Sequence, residues 1–156
     1  MKKNIHYLTP DGKENLEAEL KDLKENGRRE LAERLKNAIS MGDLSENADY
    51  HKAKEDQSFL EGRIQEIETI LYDAEVIETQ ANYIQVSLGA TVTIKEPDYP
   101  AETYHMVGTQ EANPGEGRIS HESPIGKALI GHKVGDVVKA KLPSGDTVEF
   151  TILAIE

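Results

Sequence analysis

The chain has 156 residues and no cysteine, with 30% of its residues charged and 37% hydrophobic. That balance is too polar for one well-filled core of this length, and the missing cysteine excludes disulfides and thiolate metal sites. Its 29 acidic against 18 basic residues leave a net charge of −11, which argues against tight unaided binding to DNA or RNA, where a basic surface is the usual footprint.

The N-terminal stretch MKKNIHYLTPDG carries no apolar run behind its lysines, and no membrane span is legible, so a cytoplasmic protein is expected. Up to about residue 80, apolar residues recur at helical spacing. Thr9 is a good N-cap, Pro10 suits the first helical position, and Asp11 and Glu14 favour the positive end of the dipole. Leu16, Leu20 and Leu23 then form a coiled-coil seam, which Gly27 interrupts and Leu31, Leu35 and Ala38 resume in shifted phase. A glycine there weakens a helix by about 1 kcal/mol relative to alanine, so a bend or stutter is expected.

A second helix is predicted from about residue 47 to 73, with the seam Leu60, Ile64, Ile67, Leu71 and Ala74. Only Met41-Gly42-Asp43-Leu44-Ser45 separates the two patterns, and short connections make antiparallel neighbours. Folding back about Leu44 sets Leu20 near Ile67, Leu23 near Ile64 and Leu35 near Ala53. Helices of roughly thirty residues are about 45 Å long, so the hairpin is a rod with its turn at the far end. Beyond residue 80, short β-branched runs alternate with Gly and Pro turns. Tyr83 to Leu88, Thr91 to Lys95, Thr103 to Val107, Asp136 to Leu142 and Thr147 to Ile155 read as strands. Ser123-Pro124 opens a short helix that Gly131 ends. The expected architecture is α+β in two domains: an antiparallel coiled-coil hairpin over 1–78 and a β-sheet domain with one short helix over 79–156.

The turn carries Asp43, Glu46 and Asp49, and two readings stand side by side. Asp-x-x-Glu at a helix start resembles a capping box, with Asp43 as cap and Glu46 at the third position. Alternatively, two exposed carboxylates hold a hard cation such as Mg²⁺ weakly, because Mg²⁺ wants about six oxygens. They could complete a site already half built by another protein, with Glu46 orienting the attacking water.

The run Gly42-Asp43-Leu44-Ser45-Glu46-Asn47-Ala48-Asp49-Tyr50-His51, followed by Ala53-Lys54-Glu55, resembles the signature of the bacterial Gre transcript-cleavage factors. The resemblance spans the chain, from Leu8-Thr9 through Glu61-Gly62-Arg63-Ile64 to Ser123-Pro124-Ile125-Gly126 and Leu129-Ile130-Gly131. It implies an elongation factor that is not itself an enzyme; a monomer is expected, with self-association left open. Such factors insert the coiled coil into the secondary channel of backtracked RNA polymerase and stimulate its own cleavage of the transcript. Asp43 and Glu46 match the family's tip acids, sharing Mg²⁺ only in the complex, while the free protein binds no cofactor. Ser45 falls on the conserved serine, with Asn47 beside it as support. The resemblance also implies an FKBP-like C-terminal domain that grips the channel rim near Ser123, Pro124, Ile125 and Gly126.

Arg28, Arg29, Arg34, Lys36, Lys52 and Lys54 lie on the distal hairpin, where the family faces a basic patch to the nascent RNA 3′ end; ordinary helix-surface charge is the other reading. The patch is modest, which leans toward one branch of the family. The five histidines lack zinc spacing, and no serine has a triad partnership. An FKBP-like fold does not bring prolyl isomerase activity with it, since this half has no Trp and few aromatics. Three rivals remain: a Gre-like inhibitor that obstructs the channel, a coiled-coil adaptor with no role for the tip acids, and a free-standing metal nuclease.

Overall fold

A computed structural model describes residues 5–80 and 82–156. They form two units: one is Lys13–Asp73, and the other runs up to Gly12 and resumes at Ala74. Residues 5–12 therefore group with the C-terminal half rather than with the hairpin. Strand β1 (His6–Leu8) pairs in parallel with β2 (Ala74–Val76), and Leu8 is fully buried. Both strands have three residues, too few for a period of two to show in the sequence.

Helix α1 (Pro10–Asp22) starts where Thr9 predicts: Thr9 Oγ1 accepts a 3.0 Å hydrogen bond from Gly12 N–H. The cap has a distant partner. Glu111 takes a 2.8 Å bond from Thr9 N–H and a second from the Thr9 hydroxyl, adding negative charge at the positive end of the helix. Gly12 is buried against this carboxylate, and a Cβ there would strike it.

The stutter at Gly27 is a π-helical turn, Leu23–Gly27, in which Arg28 N–H reaches back to Leu23 O. The seam steps by seven from Leu16 to Leu23 and from Leu31 to Ala38, but by eight from Leu23 to Leu31. A π turn accommodates one surplus residue and keeps both stretches on the same face. Gly27 fits there because a Cβ would sit 3.0 Å from Leu60 Cδ1. Helix α2 (Arg28–Ser40) buries Leu31 and Ala38, and α3 (Ala48–Tyr72) buries Ala53, Ile64, Ile67 and Ile70.

At the base the α3 seam departs from expectation. Ile70 is buried and Leu71 only half-buried, while Ala74 has already entered β2. Register is set by charge as well: Glu19–Arg63 and Arg28–Glu61 are two-pronged pairs at 2.8–3.0 Å, joined by Lys24–Glu68 at 2.5 Å and Arg34–Asp56 at 3.0 Å. Exposed pairs of this kind add little stability each, but they discriminate against slipped registers.

The second unit is a five-stranded sheet in the order β5-β4-β3-β7-β6. Its strands are β3 (Thr91–Lys95), β4 (Glu102–Val107), β5 (Arg118–Ser120), β6 (Val137–Lys141) and β7 (Thr147–Ile155). β4 and β5 are parallel and the other pairs antiparallel. One face buries Val92, Ile94, Met106, Val138, Phe150 and Ile152, with Leu129 of helix α4 (Pro124–Leu129) against them. As the sequence predicts, Ser123 caps α4 and Pro124 opens it.

Tyr83 to Leu88 is not a strand. Val86 N–H bonds to His132 O and Val86 O accepts from Gly131 N–H, so this segment is tied to the loop after α4 and joins no ladder.

Candidate functional site

The hairpin turn is closed by one side chain. Asn47 Nδ2–H donates at 2.6 Å to Ala38 O near the end of α2, a carbonyl that also accepts from Met41 N–H, while Asn47 Oδ1 accepts from Tyr50 N–H at 3.0 Å. Asn47 is thus the N-cap of α3 and a strut to α2 at once. This corrects the capping-box reading of the tip acids, since the helix begins after both of them. Gly42, at φ +119°, makes the reversal that a residue with a Cβ would resist.

Freed from capping, the acids face outward. Asp43 Oδ1 accepts from Ser45 N–H at 3.0 Å and from Ser45 Oγ at 2.9 Å. These two bonds, the backbone one first, hold the Asp43 carboxyl below the usual aspartate range. Glu46 and Asp49 are exposed, and among the described residues Glu46 has no hydrogen-bond or ion-pair partner. His51 Nε2 lies 3.4 Å from Ser45 O, and its ring meets Tyr50 edge-on. No group of three or more potential metal ligands occurs among the described residues. The turn thus offers carboxylate oxygens to a cation without enclosing one.

The six basic residues do not lie on one face. Arg28 and Lys36 line a groove of about 520 Å³ floored by Leu31, Leu35, Ile39 and Leu60. Arg34 and Lys52 line a separate, smaller hollow with Asn37, Met41 and Asp49. Arg28 is held by Glu61, and Arg34 and Lys52 converge on Asp56, whose carboxyl they hold below its ordinary range. Asp56 is a residue the sequence reading missed, and its i,i+4 spacing from Lys52 was the available signal. Arg29 bonds to Asn26 and Lys54 to Gln57, both neutral.

In the sheet unit, Ser123 Oγ donates to Ser120 O at 2.7 Å and accepts from Gly126 N–H at 3.1 Å. Gly126 is buried against the Ser120 carbonyl, which leaves no space for a Cβ. Ile125 is half-buried beside the core, and of the four residues Pro124 alone is exposed.

Residues 6–76 match the family described as "Transcription elongation factor, N-terminal", and residues 81–156 match "Transcription elongation factor, GreA/GreB, C-term". The chain belongs to the GreA/GreB family of transcription elongation factors. Among its relatives are proteins named transcription elongation factor GreA. That of Halalkalibacterium halodurans is 48% identical over 152 residues, 96% of each chain. That of Listeria monocytogenes is 50% identical over 144 residues, 91% of this chain and 90% of the relative. A crystal structure of GreA factor homolog 1 of Thermus thermophilus is 31% identical, spanning 98% of this chain and 99% of that one, with a TM-score of 0.45.

Proposed function

We propose that this chain acts on bacterial RNA polymerase as a transcript-cleavage factor. It is a stimulating factor and not itself an enzyme, as the family membership of both halves implies. The hairpin enters the secondary channel of a backtracked complex and presents Asp43 and Glu46 to the catalytic centre. There Asp43 and Glu46 would hold a Mg²⁺ shared with the polymerase, which would supply positive charge for attack by water on the transcript. The observation that carries this reading is the geometry of the two acids: both are exposed at the turn, Asp43 bonded only to Ser45 and Glu46 without a partner among the described residues. Neither ties the turn to α2, which Asn47 does.

The remaining roles follow from the same reading. Arg29 and Lys54, which have no acidic partner among the described residues, face the displaced RNA 3′ end. Arg34 and Lys52 reach it only by giving up Asp56. The sheet unit grips the channel rim through exposed Pro124, with Ser123 and Gly126 holding that corner in shape.

The test is transcript shortening in polymerase halted in a backtracked complex with labelled RNA and Mg²⁺. Wild type is expected to release 3′ fragments, while Asp43→Ala/Glu46→Ala competes for polymerase with undiminished affinity and releases none. Wild type that binds and blocks cleavage would make the chain an obstructing relative. Cutting of naked RNA without polymerase would overturn the reading altogether.

A further inference from the structure

The hairpin has one face its own ion pairs leave apolar. Between α2 and α3, Leu31, Leu35, Ile39 and Leu60 floor the groove of about 520 Å³, and Ile39 is 53% exposed at its distal end. A two-helix hairpin gains by covering such residues, and long basic side chains commonly fold their stems over them. Here the Arg28 guanidinium is turned to Glu61, to which it gives two hydrogen bonds. Lys36 stands at the groove with no carboxylate bound to it among the described residues, whereas Arg28, Arg34 and Lys52 all have one. An apolar floor beside one unneutralised ammonium is complementary to an apolar side chain that has a carboxylate next to it.

We infer that this groove is a protein-docking face, and that its occupant is an apolar side chain with a neighbouring acid on the wall of the polymerase channel. The inference rests on the function proposed above and reassigns Lys36 from the RNA to the protein. Lys36 and Ile39 act by holding the hairpin in place and touch no reacting atom. A nucleic-acid backbone has no use for the floor. Displaced RNA would favour the hollow that Arg34 and Lys52 line, where the flanking groups are polar.

The experiment is a titration of factor into backtracked polymerase, reading the half-saturating concentration and the maximal cleavage rate separately. Ile39→Asp and Lys36→Glu should each raise the half-saturating concentration about tenfold while leaving the maximal rate unchanged. Ile39→Leu, which keeps the apolar contact, should match wild type. Helix content and melting temperature of the free variants control for folding, since both positions lie on the surface. An unchanged half-saturation for Ile39→Asp overturns the inference. So does a Lys36→Glu variant that loses maximal rate alone, which would return Lys36 to the RNA. A wild-type dimer at the assay concentration that Ile39→Asp dissolves would assign the groove to a second copy and also overturn it. If wild type itself gives no cleavage, the functional reading fails first, and that result is distinct from all three.

Discussion

At the scale of single residues, the tip separates structural from chemical work. Asn47 holds the turn together, and Asn47→Ala removes both a cap and a strut. Loss of such a cap costs about 1–2 kcal/mol, to be read from urea denaturation of the full chain. Asn47→Asp keeps the acceptor for Tyr50 N–H but loses the donor to Ala38 O, so it should fall between the two.

Ser45 works on charge instead. Because its backbone N–H is the larger influence on Asp43 and its hydroxyl the second, Ser45→Ala should raise the Asp43 pKa yet leave it below that of an ordinary aspartate. A carboxyl-carbon NMR titration checks this. The sign for stability is that of a depressed acid. The contribution is present above the unfolded aspartate pKa and is lost as pH falls through the lower folded value. At this scale the sequence places Asp43, Ser45 and Glu46 in the turn between the helices, where the structure has them. It misled on capping, because Asn47 is as good a cap as Asp43, and only the backbone path decides between them.

At the scale of elements, the π turn makes a sharp prediction. It holds the one residue by which the seam exceeds a seven-residue repeat. Deleting Asn26 should therefore let the segment become ordinary α-helix and cost little. Deleting Glu33, within α2, should rotate Leu35 and Ala38 away from α3 and lower the melting temperature by many degrees. Thermal melts followed by circular dichroism compare the two. The hairpin was readable because its seams run over several turns of helix. The three-residue strands β1, β2 and β5 were not, having no room for a pattern. Tyr83 to Leu88 looked like a strand from its composition, but its backbone partners lie in the loop after α4. The Thr9–Glu111 cap was invisible for another reason, since its members are 102 residues apart in the chain.

At the scale of the whole molecule, the charge of −11 is dispersed. No set of three potential metal ligands gathers among the described residues, so millimolar Mg²⁺ should leave the melting temperature of the free protein unmoved. A rise of several degrees would reveal a cation site that belongs to this chain alone. The α+β class was plain from the change of period near residue 80, whereas the pairing of the first strand with β2 in the C-terminal unit was not. One consequence concerns aim. The hairpin is greasy along one flank, where Leu35 and Ile39 lie, and salted along another, where Arg34 and Lys52 meet Asp56. A rod alike on every side could enter a tube at any rotation about its long axis and would point its end acids at random. With the groove occupied as inferred above, this one would be keyed like a shaft with a flat, and the direction in which Asp43 and Glu46 face would be decided along its length as well as at its end.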